Sequence, residues 1–339
     1  IGPMLTMGMT SAMMAFTSLQ TVLNGEKDLS YAAPSLVIAF AMLASMLLWP
    51  LLTRRYESRQ RKKREELRQN KYREYIDKKR QDIQSEMNIQ RQILIDNYLP
   101  LKDTEEIIIN KKRSLWEREI DQDDFLSVRL GIGTTELQGN VNFPVEHFSL
   151  EDDDLLQEVY KLGAESRTLE HVPIAVSFVK SKVSAIIGTA QNKQEVIEGI
   201  ILQLLGYHSY ADLKIVILTN TAKKNNWDYM KIAPHNWSDN KQMRFYAENL
   251  DEAKEISLYL EKEMQGRKFD DTDGNMKVSD KDYKSYQPYY LIITDDYKAY
   301  RDLDILKDVC ETNMNYGFSL VVISPRLVNL PNECETFIS

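Results

Sequence analysis

Two short stretches of the chain carry residue types that could handle phosphate and metal. The first is Gly188-Thr-Ala-Gln-Asn-Lys-Gln-Glu195, a turn between the apolar run Val183–Ile187 and a helical pattern that contains Ile200. A phosphate-cradling loop needs Gly-x-x-x-x-Gly-Lys-Ser/Thr at such a place. Its backbone N–H groups surround the phosphates, the lysine neutralises the β/γ charge and the hydroxyl holds Mg²⁺. Here Gly188 supplies the first glycine, but Lys193 stands for the second, Gln194 for the lysine and Glu195 for the hydroxyl. Glutamine cannot replace the charge, and a glutamate repels the phosphates. Sliding Lys193 into the lysine role shortens the loop and leaves Gln194 where the hydroxyl is needed. The spacing therefore predicts a degenerate, non-functional site. The second stretch, Tyr290-Leu-Ile-Ile-Thr-Asp-Asp296, reads as a buried strand ending in two carboxylates. In an active phosphoryl-transfer site Asp295 or Asp296 would hold Mg²⁺ through water and its neighbour would orient the attacking water. Acids at a strand end also arise because the following helix dipole favours negative charge there, and beside a broken loop that plainer reading takes precedence. No catalytic residue is assigned.

Other chemistries find no support. His147, His171, His208 and His235 form no HxH or HxxxH pair and have no cysteine neighbours, so no metal site is expected. Gly-x-Ser-x-Gly and Cys/His pairings are missing. Cys310 and Cys334 are two cysteines in 339 residues without CxxC spacing, which suits a reducing compartment and excludes a disulfide scaffold. Trp227, Trp237 and Pro234 read as loop anchors over a sheet edge.

The elements that must position these residues fall into three parts. Residues 1–25 and 29–53 contain no charged side chain, and about 20 apolar residues suffice to cross a bilayer as a helix. The second run ends at Trp49 and begins near Tyr31, where amphipathic rings favour the headgroup level. The first is rich in Met, Thr, Ser and Gly, and lacks the basic start of a signal peptide. Residues 54–91 carry 14 Lys/Arg against 7 Asp/Glu, a net of +7, whereas the whole chain has a net charge of −8. By the positive-inside rule the end at Arg54 is cytoplasmic and the short loop with Glu26, Lys27 and Asp28 is outside. From Arg54 to Tyr98 there is neither Gly nor Pro, and 45 helical residues would make a stalk of about 65 Å. Ile76, Ile83, Met87 and Leu94 form a thin coiled-coil stripe along it. Seven acids interleaved with the bases argue against a dedicated nucleic-acid surface, while contact with anionic lipid fits the composition. The chain opens inside a hydrophobic stretch without an initiator Met, so a longer protein is expected.

After Pro100 the pattern changes. Leu126–Ile132 and Val141–Phe148 alternate as half-buried strands do. Ser149 with Asp152 to Asp154 marks a helix start before Leu155, Leu156, Val159, Tyr160 and Leu162. The apolar runs 173–179, 183–187, 213–218, 290–293 and 318–323 then alternate with amphipathic helices. One helix is lined by Val196, Ile197, Ile200, Ile201, Leu204 and Leu205, the other by Ala253, Ile256, Leu260 and Met264. That alternation predicts a largely parallel sheet in an α/β domain. Residues 265–287 read as a polar surface loop.

Trp116-Glu-Arg118 in Leu115–Glu119, Asp124-Phe-Leu126, Val128-Arg-Leu-Gly-Ile-Gly133, His208–Lys214, Trp227-Asp and Pro234-His-Asn-Trp237 together resemble the membrane-proximal segment of the EssC/EccC/YukB family. Its members are membrane-anchored, FtsK/SpoIIIE-type motor ATPases of type VII secretion. Glu263–Arg267 and Phe318–Arg326 resemble further elements of FtsK-type motors. The resemblance implies a transmembrane hairpin over 1–53, a basic cytoplasmic stalk helix over 54–99, and a degenerate P-loop-NTPase-like (FtsK/RecA-like) domain over 100–339. Within that domain 100–172 is a strand-rich lead-in and 173–339 the α/β core. It also implies a multi-pass location in a bacterial plasma membrane and no cofactor in this segment, with ATP and Mg²⁺ in domains downstream. The partners it implies are other membrane subunits of the secretion apparatus, further copies of the chain, membrane lipids and small helical-hairpin substrates of the full protein. The function so expected is to anchor the motor and couple its ATP-hydrolysing domains to the membrane complex. The alternative is an active FtsK-type DNA translocase or membrane NTPase using Asp295 and Asp296.

Overall fold

The computed structural model describes residues 2–24, 29–139, 141–145, 154–188, 190–272 and 286–339. The charged loop at 25–28, His147, Ser149 and the acids at 151–153 lie outside that set, as does most of the polar stretch before Tyr286. Two compact units divide the chain, residues 1–85 with 140–166, and residues 86–139 with 167–339.

The first unit holds α1 (Gly2–Leu23) and residues 29–85 of α2 (Leu29–Asn97), a helix that runs from the second apolar stretch into the stalk without interruption and whose residues 86–97 belong to the second unit. Large apolar side chains, among them Met13, Phe16, Phe40 and Trp49, stand exposed on these helices. Among the described residues, no helix is long and apolar enough to cross a membrane. Farther along, α4 (Asp154–Ala164) lies beside the stalk. Arg73 pairs with Glu158 at 3.1 Å and Arg80 with Glu165 at 3.0 Å. Both partners advance by seven residues, so the two helices run parallel. Ile76, midway between the arginines, is buried, as are Leu155 and Leu162. Part of the predicted stripe thus meets a helix of the same chain.

The second unit holds the α/β core. Its six-stranded, all-parallel sheet has the order β5-β4-β6-β7-β3-β8, with β3 Val183–Ile187, β4 Leu213–Leu218, β5 Tyr246–Ala247, β6 Tyr289–Thr294, β7 Phe318–Ser324 and β8 Thr336–Ile338. Each central strand is buried on both faces, as its unbroken apolar run requires. Ile215, Ile217, Leu291 and Ile293 point to one side, where α5 (Ala190–Tyr207) contributes Ile197, Ile200, Ile201 and Leu204. Val216, Leu218, Tyr290 and Ile292 point to the other, against Ala253, Ile256, Leu260 and Met264 of α6 (Leu250–Thr272) and Leu306 and Val309 of α8 (Asp304–Glu311). Each such aliphatic side chain taken from water contributes roughly 1.5–3 kcal/mol. Asn249 starts α6, its Oδ1 accepting from the N–H groups of Asp251 and Glu252. Two shorter α-helices are α3 (Leu101–Ile109), across α5, and α7 (Tyr297–Tyr300), after β6.

Three expectations are corrected. The run 173–179 does not join the parallel sheet. It falls largely in β2 (Thr168–Ser177), which pairs antiparallel with β1 (Ser127–Glu136) in a separate two-stranded sheet. A continuous apolar run cannot by itself tell those two environments apart. Residues 141–145 form no strand despite their alternation, because alternation without a pairing edge gives the backbone no ladder. Finally, residues 265–272 continue α6 rather than opening a loop.

Candidate functional site

β3, β7 and β6 lie side by side and parallel, so their carboxyl ends deliver the Gly188 turn and the pair Asp295–Asp296 to one edge, with β7 between them. Two strand spacings put them about 10 Å apart. That edge is where open α/β sheets bind ligands.

The carboxylates are already engaged. Asp295 Oδ2 accepts the indole N–H of Trp227 at 3.1 Å. Lys223 donates to the backbone oxygen of Asp295 at 2.6 Å and approaches its Oδ1 to 3.8 Å. The Asp295 side chain is only 8% exposed, and its Oδ1 has no hydrogen bond. Asp296 accepts from the Asn220 amide at 2.8 Å. All three donors come from the loop that leaves β4, so that loop covers the acids.

On the other side, Gln194 gives its amide to Glu198 at 2.9 Å and to the Asn226 carbonyl at 3.4 Å. Glu195 is exposed on the first turns of α5. Lys193 is half-buried, and burial together with the nearby Lys223 ammonium depresses its pKa, against the pull of Asp295. Lys193 and Lys223 therefore crowd one carboxylate. The structure thus brings Lys193 into the field of Asp295, while Gln194 and Glu195 turn toward α5 and solvent. Asn220, Lys223 and Trp227 as the partners of the acids were missed from sequence. The contacts span 68 to 76 residues, and the reading of Trp227 as a loop anchor was the available hint.

The opposite end of α5 explains several motif residues. A helix leaves its last four carbonyls without partners, and here each is met. His208 serves Leu204, the Trp116 indole serves Leu205, the Trp116 N–H serves Gly206 and the Arg118 N–H serves Tyr207. Trp116 holds a φ of +59° to do so. His208 accepts the Leu126 N–H on Nε2 at 3.0 Å, leaving Nδ1–H to face the Leu204 carbonyl at 3.2 Å. His235 donates to the His208 carbonyl at 2.8 Å. Burial drives both imidazoles down, His208 to about 3 and His235 to about 4, so both are neutral framework groups. Among the described residues, no cluster of His, Cys, Asp or Glu could hold a metal. Asn236 bridges the Ile215 and Phe245 carbonyls, and Trp237 donates to Lys231. Arg267 is sunk among Tyr286, Tyr290 and Phe318 and donates to the carbonyls of Tyr316 and Pro288. Gly317, at φ +82°, passes too close to that guanidinium for any side chain.

The end of the stalk is gripped in the same way. Arg118 donates to the Asn97 carbonyl at 2.6 Å and to the Ser127 carbonyl at 2.6 Å, and pairs with Asp124 at 3.0 Å. Arg129 donates to the Tyr98 carbonyl at 2.9 Å.

The chain is 24% identical over 310 residues to the ESX secretion system protein EccC of Geobacillus thermodenitrificans, covering 89% of this chain and 20% of that protein. It is 21% identical over 304 residues to the ESX secretion system protein YukB of Bacillus subtilis, with the same coverage. The chain is a sequence relative of the EccC/YukB/EssC family. It spans about a fifth of the length of these family members. No protein-family model matches it. Among solved structures, EssC (ATPases 2 and 3) from Geobacillus thermodenitrificans aligns at 10% identity and a TM-score of 0.38, covering 67% of this chain and 40% of that one; an overlap so loose has no bearing on the site.

Proposed function

We propose that this chain is the membrane anchor, stalk and nucleotide-free scaffold domain of a type VII secretion motor. It couples the motor's ATP-hydrolysing domains to the membrane complex. One observation carries the reading: Asp295, the acid that would serve Mg²⁺, is closed over by Trp227 and Lys223 of its own chain. The residues present do not fit Mg-ATP. A Walker lysine would make charge-assisted contacts about twice as strong as neutral ones, and at its place Gln194 offers an amide committed to Glu198. Glu195 adds a negative charge where a hydroxyl would meet the metal.

The two charge-free runs of 25 residues and the basic stretch that follows support a hairpin in the membrane with the remainder cytoplasmic. The exposed arginines after Thr53 support contact with anionic headgroups, each worth about 1 kcal/mol near the surface. Other membrane subunits, further copies of the chain, and helical-hairpin substrates engaged by the full protein are the partners this role requires.

Titration calorimetry of the full 339-residue chain with Mg-ATP tests the reading. No saturable heat is expected at millimolar nucleotide. Saturable binding that disappears in Asp295→Asn would replace the scaffold with an active NTPase.

A further inference from the structure

We infer that Arg118 and Arg129 form a lock that fastens the end of the stalk helix to α5, so that stalk end and α/β core move as one body. Its purpose rests on the coupling role proposed above, while its geometry is independent of the nucleotide site.

A helix that stops just before a proline, as α2 does at Asn97 with Pro100 following, makes a natural swivel. Its last carbonyls have no partners in the helix and carry the negative end of the dipole. Two cations close that swivel. The Arg118 side chain is 4% exposed and its planar fork reaches three partners at once. One Nη holds the Asn97 carbonyl of α2, the other holds the Ser127 carbonyl at the start of β1, and Nε faces Asp124. The guanidinium carbon lies over the ring of Tyr98, 5.5 Å from its centroid, and over that of Tyr207, on the last turn of α5, at 4.4 Å. Arg129 takes the next carbonyl, Tyr98. Its own backbone is bonded in both directions to the Gln203 side chain on α5, at 2.8 and 2.9 Å. Two successive carbonyls of the stalk end are thus tied, through two arginines, to the last two turns of one helix. The other end of α5 carries Lys193 and Gln194 against the loop that covers Asp295. A lysine in place of Arg118 would keep the charge and lose the fork, so that half of the lock depends on geometry more than on sign.

Pulsed electron–electron resonance on the full chain in nanodiscs tests this, with spin labels at Asn88→Cys on the exposed side of α2 and Lys254→Cys on α6. The native Cys310 and Cys334 are half-buried with thiols pushed up to about 11, so the exposed cysteines label first. The parent chain should give one narrow distance distribution. Arg129→Met and Arg118→Met, singly and together, should broaden it at least twofold, and Arg118→Lys should broaden it too. Amide exchange in β6 and β7 should stay at the parent level. If Arg118→Met loses core protection, the half-exposed Arg129 decides alone. An unchanged width in Arg129→Met with a folded core, or a broad distribution in the parent, overturns the lock. Neither result depends on whether Mg-ATP binds.

Discussion

At the scale of single residues, the most informative groups are those whose chemistry has been switched off by burial. His208 and His235 are held neutral, with pKa values near 3 and 4 against about 6.5 in an unfolded chain. Between those values the unfolded chain binds more protons than the folded one, so stability falls as pH falls. The contribution is fully present above about pH 6.5 and is lost progressively as pH falls, towards pH 4 for His235 and pH 3 for His208. Each histidine adds a slope of up to about 1.4 kcal/mol per pH unit. Urea midpoints at pH 7 and pH 5, a window above most carboxylate titration, should therefore drop for the parent chain. His235→Gln keeps a donor for the His208 carbonyl but does not titrate, and should remove about half of that drop. An unchanged pH dependence would mean that the ring of His235 is protonated in the fold. Asp295 is engaged by its own chain as well, through the Trp227 ring N–H and the Lys223 ammonium.

Among the elements, α5 carries most of the organisation. It follows the Gly188 turn, supplies one wall of the core, is capped by the Trp116–Arg118 segment, and is crossed by α3. That crossing is close because Gly199 and Gly206 stand seven residues apart on one face. A Cβ at Gly206 would lie 3.0 Å from Thr104 Cγ2 and 3.2 Å from Ile108 Cδ1. Gly206→Val should therefore force α3 away and cost about 1–3 kcal/mol, as overpacking does, read as a lowered urea midpoint with an unchanged m-value. A neutral or stabilising result would show that α3 is loosely seated. The helix faces and the four long parallel strands were legible because apolar runs and 3.6-residue periodicity are local signals. That Gly188 to Glu195 departs from the phosphate-loop pattern is a matter of residue types alone, so it is read directly from the sequence. The membership of β2 was hidden, since Pro173 to Ser177 looks the same in either sheet. The closing of Asp295 by Lys223 and Trp227 and the grip of Arg118 on the stalk were hidden as well. Each joins residues whose separation only the tertiary fold removes, although Trp116, Arg118 and Arg129 had already marked themselves as motif positions.

For the whole molecule, the decisive question is on which side of a membrane each part lies. The charge asymmetry of the sequence supports the one arrangement proposed above. Residues 29–53 carry no charge, and residues 54–91 then carry a net of +7. Moving that stretch across a bilayer is opposed by the bias that keeps Lys and Arg in the cytoplasm, whereas the loop after Asn24 holds one Lys and two acids and meets no such barrier. Single cysteines at Asn24 and Ser58 separate the possibilities in intact cells. Asn24→Cys should react with a membrane-impermeant maleimide, and Ser58→Cys should react only after the cells are permeabilised. The outcome is discriminating because the described residues contain no helix long and apolar enough to span a membrane. If both positions label equally from outside, or both stay protected until lysis, there is no hairpin, and the basic stretch must be explained as a surface charge. If the two are inverted, the stalk and the α/β core lie outside, and no coupling to cytoplasmic ATPase domains is possible. The hairpin survives only the first pattern. In that pattern the stalk end held by Arg118 and Arg129 lies on the cytoplasmic side together with the α/β core.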